Sequence, residues 1–270
     1  MPKTIFITGA STGLGRATAF LFAEQGWNVI ATMRTPENGA DLAAHSNIIV
    51  LPLDVTNPEQ IKSTVAQALA QADVDVVFNN AGYGLAGPLE GMTDAQMVRQ
   101  IDTNLLGVMR VTQAFLPHLR VRGSGVIVTT TSIGGLVTFP MNSAYHATKW
   151  ALEGWSESLA FELKRFGIAV KTVSPGGIST DFANRSLDMA AHEAYAEDMQ
   201  KVWAVFSDPT RELGRSTAEQ IAAVVWEAVT DGKEKLRYVA GADAQGLYAQ
   251  RLQVGDEAFR AGVRQNFLGD

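Results

Sequence analysis

The chain has no cysteine and only four histidines among its 270 residues. Without cysteine it can form no disulfide, no thiolate nucleophile and no cysteine-ligated metal centre. The histidines lie far apart in the sequence, at His45, His118, His146 and His192. Their spacing does not indicate a metal site, and we therefore expect no bound metal.

The chain also lacks a long hydrophobic run and an excess of positive charge. Its apolar stretches are too short to span a bilayer, and the first of them leads straight into a glycine-rich segment, unlike a secretory signal. The formal net charge is −6 and the isoelectric point is about 5.3, so there is no basic stripe for nucleic acid or a membrane surface. We expect a cytoplasmic protein that binds neither nucleic acid nor a membrane.

Short apolar runs alternate with longer amphipathic stretches throughout the chain, 46% of which is hydrophobic. This alternation predicts an α/β fold, with a parallel sheet covered by helices on both faces. Seven strands are predicted: Thr4–Thr8, Asn28–Thr32, Ile48–Pro52, Val74–Asn79, Gly125–Thr131, Ala169–Ser174 and Leu236–Ala240. Helical patterns include 58–72, 94–121 and 144–166. No linker or repeat interrupts the pattern, so we interpret residues 1–270 as one domain.

Two segments fit this alternation less well. Residues 181–215 mix large apolar side chains such as Met199 and Trp203 with acidic residues. Such a segment after a strand is a natural lid or pocket wall, and we interpret it as an insertion at the substrate site. Residues 242–270 extend beyond the last predicted strand, and the sequence does not indicate their role.

A glycine-rich loop follows the first predicted strand. It reads Gly9-Ala10-Ser11-Thr12-Gly13-Leu14-Gly15, and a helical pattern begins directly after it. Strand, glycine loop and helix in this order are the context of a dinucleotide-binding site. Glycines let the backbone approach a pyrophosphate, whose charge is met by free N–H groups at the start of the helix. A simple tight turn is the alternative interpretation of this loop.

Tyr145 and Lys149 lie four residues apart, in Ser-Ala-Tyr-His-Ala-Thr-Lys (143–149). Tyr145 comes thirteen residues after Ser132. On a helix such a pair shares one face. An ammonium beside a phenol favours the phenolate and lowers the pKa of the phenol, so the pair suits proton transfer to or from an oxygen. An ordinary helix with an exposed lysine is the alternative. His146 points elsewhere on the helix and is a poor candidate for the general acid.

Polar or glycine-containing segments end three further strands. Asn79-Asn80-Ala81-Gly82 follows the apolar run 74–78, Ser132 follows 126–131, and Pro175-Gly176-Gly177 closes the next strand. Open α/β sheets bind ligands at the carboxyl ends of their strands. These segments and the glycine loop should therefore border one crevice, although each alone could be a strand-ending turn.

Together these motifs resemble those of the short-chain dehydrogenase/reductase family over roughly residues 3–241. The resemblance implies a Rossmann-type, doubly wound sheet of seven parallel strands. It also implies a catalytic tetrad formed by Asn104, Ser132, Tyr145 and Lys149, with a relay water anchored at Asn104. The cofactor-binding residues implied are Gly9, Ser11, Thr12, Gly13, Leu14, Gly15, Asp54, Val55, Asn80, Ala81, Gly82, Tyr145, Lys149, Pro175, Gly176, Ile178 and Thr180.

The cofactor choice depends on the end of the second strand. A carboxylate there binds the ribose 2′-hydroxyl of NAD and repels a 2′-phosphate. By resemblance this position is Met33, and the next residue is Arg34, whose guanidinium suits a phosphate. One departure is Thr12, where many NADP-dependent relatives carry a basic residue. We expect NADP(H) rather than NAD(H), with Arg34 as a cofactor-binding residue.

The function predicted is hydride transfer between NADP(H) and an apolar ketone, aldehyde or secondary alcohol. The expected pocket walls, which carry few basic groups, are 83–88, 134–141 and the 181–215 insertion, including Phe182 and Tyr195. The alternatives are a nicotinamide-dependent epimerase or dehydratase, in which substrate changes without net cofactor turnover, and a non-catalytic NADP(H)-binding sensor. A sensor would have no need of the Tyr, Lys and Ser trio.

A helical projection of 145–165 predicts the assembly. One face, which carries Tyr145, Lys149, Leu152, Ser156, Leu159 and Leu163, is assigned to the sheet and the site. The opposite face carries mostly small residues, namely Ala147, Ala151, Gly154 and Ser158, with Phe161. Such a face packs closely against another helix, which belongs either to the same chain or to a second copy. The family resemblance favours a homodimer or homotetramer.

Overall fold

The structure, a computed structural model, describes residues 2–179, 186–208 and 215–269. Its centre is a sheet of seven parallel strands in the order β3-β2-β1-β4-β6-β7-β9. The strands are β1 (Thr4–Thr8), β2 (Asn28–Met33), β3 (Ile48–Pro52), β4 (Val76–Asn79), β6 (Gly125–Thr130), β7 (Ile168–Pro175) and β9 (Arg237–Ala240). The predicted Rossmann-type fold of one domain is confirmed.

Helices cover both faces of this sheet. On one face α1 (Gly13–Glu24), the short α2 (Ala40–Ala43) and α8 (Ala218–Thr230) share a core with β1 and β2. On the other face α3 (Pro58–Gln71), α5 (Gly107–Arg122) and α6 (Ser143–Lys164) form a second core. Within the described ranges, no helix has both the length and the apolar content needed to cross a bilayer.

The strand order places a crevice at the carboxyl ends of β1 and β4. These strands are neighbours, but the chain reaches β4 only after visiting β2 and β3 on the other side of β1. The connections that leave β1 and β4 therefore run in opposite directions and leave a gap between them. Ligands of open α/β sheets bind at such a switch point.

The long predicted helix over 94–121 is interrupted. It consists of α4 (Asp94–Ile101), a π-helical segment (Asp102–Leu106) and α5. A π-helical turn widens the backbone spiral locally and is often found at functional sites. Here it carries Asn104, which is 1% exposed.

The segments outside the main alternation lie together above the sheet. β5 (Gly84–Ala86) pairs with β8 (Leu187–Met189) in a small second sheet, followed by α7 (Ala196–Phe206). The C-terminal residues form α9 (Ala242–Val254) and α10 (Asp256–Leu268), and α10 packs against α7. Part of the predicted insertion, residues 180–185 and 209–214, lies outside the described residues.

Helix α6 has the two faces that the projection predicts. Lys149, Leu152, Ser156, Leu159 and Leu163 are buried against the sheet, and Tyr145 is half-buried. On the opposite face Ala147, Gly154, Ser158 and Phe161 are exposed, Phe161 by 78%, and Ala151 is half-buried. Among the described residues, no other helix covers the four exposed ones.

Candidate active site

A cleft of about 1570 Å³ opens at the carboxyl ends of the strands. Most of the residues predicted from the sequence line it: Gly9, Ser11, Thr12, Gly13, Leu14, Arg34, Asp54, Val55, Asn80, Ala81, Gly82, Ser132, Tyr145, Lys149, Pro175, Gly176 and Ile178. Gly15 and Asn104 lie outside this lining. Thr180 and Phe182, also predicted at the site, lie outside the described residues.

The glycine loop is held tightly against the end of β4. Gly9 has φ +69°, and a Cβ on it would lie 2.8 Å from the Cα of Ala81, so a larger residue would strain the loop. Helix α1 begins at Gly13, and its N-cap residue Thr12 makes no side-chain cap. In contrast, Asn57 caps two amides of α3. The uncapped first turn of α1 thus offers N–H groups to an anion in the cleft.

Asn80 braces this loop. Its Nδ2 donates to the carbonyl oxygens of Thr8 and Gly9, each at 3.1 Å. The Thr8 hydroxyl in turn accepts from the backbone N–H groups of Asn80 and Ala81, at 2.9 and 3.0 Å. The predicted cofactor residue Asn80 therefore positions the glycine loop through its side chain.

The outer end of the cleft suits the adenosine half of a dinucleotide. Met33 is buried at the end of β2, whereas Arg34 is exposed on the wall of the cleft and makes no ion pair with a described residue. Asp54 uses Oδ1 to accept from the backbone N–H and the hydroxyl of Thr56, at 2.9 and 2.7 Å. Its second carboxylate oxygen is left for a ligand. The residues present thus fit a nicotinamide dinucleotide with a 2′-phosphate.

The predicted catalytic hydroxyls lie at the inner end of the cleft. Ser132 comes just after β6 and Tyr145 lies in the first turn of α6, and the Ser132 hydroxyl is close enough to the phenol to favour its charged form. Burial raises the pKa of the Tyr145 phenol, and the Ser132 hydroxyl offsets only part of the rise. The sequence predicted a lowered pKa, and this direction was wrong, because a residue pattern shows the neighbouring lysine but not the depth of burial.

Lys149 lies one turn further along α6. Its Nζ donates to the carbonyl of Thr130 at 3.0 Å and is 5.7 Å from the centre of the Tyr145 ring. Burial lowers the pKa of Lys149 to about 8, while the charge of Glu153 raises it. The ammonium is thus available at neutral pH but titrates just above it.

Asn104 acts on the backbone of the loop after β4. Its Nδ2 donates to the carbonyl of Tyr83 at 2.8 Å, and its Oδ1 accepts from the Tyr83 N–H at 3.0 Å. This two-point clamp fixes the loop that carries Gly82 along the cleft. The clamp was not predicted, and a relay water at Asn104 stays a prediction.

The substrate end of the cleft is largely apolar and aromatic. Phe139, Phe206 and Phe267 form a cluster with ring centres 5.1–6.0 Å apart. Met141, Met199 and Trp203 line the cleft as predicted, but Leu136 and Val137 are buried beneath it, and Tyr195 hydrogen-bonds Glu90 away from it. The C-terminal helices add residues that the sequence did not indicate: Leu247, Gln250, Phe259, Gly262, Val263, Asn266 and Phe267.

His146 also reaches this wall, contrary to the expectation that it points elsewhere on the helix. Its ring lies 5.8 Å from that of Phe139 and 6.0 Å from that of Tyr145. Burial lowers the pKa of His146 to about 4. The imidazole is therefore neutral at physiological pH and cannot serve there as a charged acid.

The chain matches a known protein family over most of its length. The family model described as short chain dehydrogenase matches residues 3–191. The chain is also 34% identical over 253 residues to the 3-ketodihydrosphingosine reductase of Bacteroides thetaiotaomicron, covering 92% of this chain and 91% of that protein. The chain therefore belongs to the short-chain dehydrogenase family and is an oxidoreductase.

Solved structures give the same assignment. A short-chain dehydrogenase from Streptomyces avermitilis is similar with a TM-score of 0.85 and 36% identity, covering 98% of this chain and 96% of that one. A short chain dehydrogenase from Burkholderia cenocepacia, solved in complex with NADP, has a TM-score of 0.78 and 25% identity, covering 97% of each chain.

Proposed function

We propose that the protein transfers a hydride between NADP(H) and the carbonyl carbon of an apolar ketone or aldehyde, or the carbinol carbon of a secondary alcohol. The observation that carries this proposal is the pairing of the Ser132 and Tyr145 hydroxyls beside Lys149, where the cofactor cleft meets an apolar pocket. Two hydroxyls at one point can bind a carbonyl oxygen and protonate it. The relative from Bacteroides is named for the reduction of a ketone, which supports a ketone among the proposed substrates.

The bound nicotinamide would supply the hydride, and the chain's own residues handle the oxygen. In reduction Tyr145 donates its hydroxyl proton to the oxygen that becomes an alcohol, and in oxidation it accepts that proton. The raised pKa keeps this proton on Tyr145 until reaction. Ser132 orients the carbonyl, and the Lys149 ammonium would hold the nicotinamide ribose and stabilises developing negative charge on Tyr145.

The pocket composition limits the substrate. The inner wall is formed mainly by aromatic and aliphatic side chains, and its polar side chains include Ser132, Tyr145, His146, Arg215, Gln250 and Asn266. Arg215 already donates to the carbonyl of Phe206 at 3.1 Å. Desolvating a charged substrate group there would be costly because few charged groups are left to pair with it. We therefore propose an apolar substrate, with the Phe139, Phe206 and Phe267 cluster against its body.

A panel of apolar ketones with NADPH and with NADH tests the proposal. We expect stoichiometric loss of the absorbance of the reduced nicotinamide together with formation of the alcohol. Substrate conversion without net cofactor oxidation would instead indicate an epimerase or dehydratase. Tight NADPH binding with no turnover on any ketone would indicate a sensor.

The preference for NADP(H) is tested at Arg34. A charge-assisted hydrogen bond contributes about 1.5–3 kcal/mol, so Arg34→Ala should raise the KM for NADPH by roughly 10–100-fold. The KM for NADH should change little, because NADH has no 2′-phosphate. Steady-state kinetics with both cofactors measure the difference.

Arg120→Ala provides the matched control, because Arg120 is an exposed arginine on α5 outside the cleft. It should leave both KM values unchanged. Equal or better kcat/KM with NADH in the unmodified protein would contradict the cofactor proposal.

We propose further that the exposed face of α6 forms the contact in a homodimer or homotetramer. Apart from its chain neighbours and the backbone of its own helix, nothing in the described chain lies within 4 Å of the position that a Cβ on Gly154 would take. Gly154→Arg should therefore leave the monomer folded but block close helix packing, so that the mass measured by light scattering falls to that of a monomer.

Gly246→Arg on α9 is the control for this prediction. Its Cβ position is equally open, and the variant should leave the assembly intact. A monomeric mass for the unmodified protein at micromolar concentration would contradict the assembly.

A further inference from the structure

A buried polar cluster lies behind Lys149, on the side of α6 that faces the sheet. Its centre is Glu153, which follows Lys149 by one helical turn and is 4% exposed. The Oε1 atom of Glu153 accepts from Thr131 Oγ1 at 2.6 Å and from Ser174 Oγ at 2.9 Å. Its Oε2 atom accepts from Arg237 Nε at 2.8 Å. A buried carboxylate is tolerated only when it is hydrogen-bonded and paired in this way.

This cluster is connected directly to the proposed catalytic groups. Thr131, which donates to Glu153, lies between Ser132 and Thr130, whose carbonyl accepts from Lys149 Nζ. The loop after Ser132 also packs on α6, since a Cβ on Gly135 would lie 2.8 Å from the Lys149 carbonyl oxygen and 3.2 Å from Glu153 Cγ. A change at Glu153 therefore affects both Ser132 and the Thr130 carbonyl that accepts from Lys149, which lie together at the end of β6.

The electrostatic setting makes Lys149 sensitive to this carboxylate. Burial lowers the pKa of Lys149 to about 8, and among the described residues Glu153 is the charged group that opposes this fall. Arg237 partly neutralises Glu153 from β9. The other titratable groups near the pair are Tyr145 and Glu157 on α6 and Tyr248 on α9, which acts on Arg237. Toward Glu153, β6 and β7 present hydroxyl groups.

We propose that Glu153 is a positioning residue that keeps Lys149 charged at neutral pH and fixes the strand end that carries Ser132. Arg237 acts through Glu153. Its positive charge offsets part of the charge of the carboxylate and so limits the effect of Glu153 on Lys149. The proposal rests on the proposed hydride-transfer function, in which the Lys149 ammonium binds the cofactor and assists Tyr145.

The test is the pH dependence of kcat/KM for NADPH, which reports groups of the free enzyme. In the unmodified protein the alkaline limb should fall near the pKa of Lys149. In Glu153→Gln this limb should move to lower pH by about one unit or more, because the ammonium has lost the carboxylate that raises its pKa. NADPH affinity measured by fluorescence without substrate should shift over the same pH range. Tyr145 cannot produce this limb, since its pKa is raised above its ordinary value of 10.

Two further variants separate this role from a general loss of structure. Glu157 lies one turn beyond Glu153, also approaches Arg237, at 3.8 Å, and has a side chain that is 59% exposed. Glu157→Gln should therefore leave the limb in place. Arg237→Met should move the limb to higher pH, because the field of Glu153 at Lys149 is then no longer neutralised.

An alkaline limb unchanged in Glu153→Gln, or shifted in the same direction by Glu153→Gln and Arg237→Met, would overturn the inference. If Glu153→Gln does not fold, as judged by near-ultraviolet circular dichroism, Arg237→Met alone tests the inference. An alkaline limb that stays at the same pH or moves to lower pH in Arg237→Met would then overturn the role of Glu153. Absence of reductase activity in the unmodified protein would overturn the proposed function instead. The NADPH affinity titration would still test Glu153 in that case.

Discussion

Replacing Tyr145 by phenylalanine should lower kcat by roughly 10²–10⁴-fold, the contribution of a positioned acid or base. The substitution removes only the hydroxyl, so the ring still fills its place in the first turn of α6. Binding of NADPH should stay nearly unchanged, because the glycine loop, Asp54 and Arg34 are untouched. Single-turnover kinetics measure the chemical step, and fluorescence titration measures NADPH binding.

Two further variants should be compared with Tyr145→Phe. Tyr195→Phe removes a phenol that hydrogen-bonds Glu90 outside the cleft, and it should keep normal kcat. Lys149→Ala should impair both turnover and cofactor binding, since Lys149 serves both. If Tyr145→Phe retained near-normal kcat, Tyr145 would not be the general acid.

The sheet could be predicted because a parallel strand covered on both faces is a continuous apolar run. The limits of that rule appear at β4, which was predicted to begin at Val74 but begins at Val76. Val74 is fully buried, yet its carbonyl accepts from His118 Nε2 at 3.0 Å instead of from a strand. Apolar character reports burial, and burial alone does not require a strand.

The candidate site was predictable where a local motif carries the chemistry. The glycine loop, the Tyr145 and Lys149 pair, and the polar strand ends are each encoded within a few consecutive residues. The C-terminal wall could not be predicted, because Phe259 and Phe267 belong to helices whose pattern does not indicate what they pack against. Nor could the pKa direction of Tyr145, which depends on how deeply the folded chain buries it.

A second buried charged group contributes to stability rather than to chemistry. Lys171 of β7 donates to Asp231 Oδ1 at 2.8 Å and to the Tyr238 hydroxyl at 3.1 Å, and Tyr238 donates to Asp231 Oδ2 at 2.6 Å. The side chains of Lys171 and Asp231 are only 5% and 7% exposed. Burial would raise the pKa of Asp231, but the hydrogen bonds from Lys171 and Tyr238 outweigh it and lower that pKa overall. The stabilisation is therefore present above pH 3.8, the ordinary pKa of the group, and is lost as the pH falls below it.

Lys171→Met should lower the free energy of unfolding by about 3–5 kcal/mol, because removal of one partner leaves the Asp231 carboxylate buried without its counter-charge. Urea unfolding at neutral pH measures this loss. Lys235→Met is the matched control, since Lys235 is an exposed lysine whose Nζ lies 4.2 Å from the centre of the same Tyr238 ring, and it should cost less than about 1 kcal/mol. As the pH falls, Asp231 takes up a proton in folded Lys171→Met before it does so in the unmodified protein, where Lys171 lowers its pKa, so the difference in stability between the two proteins should narrow. Equal stability of the two lysine variants at neutral pH would show that the buried pair does not stabilise the fold.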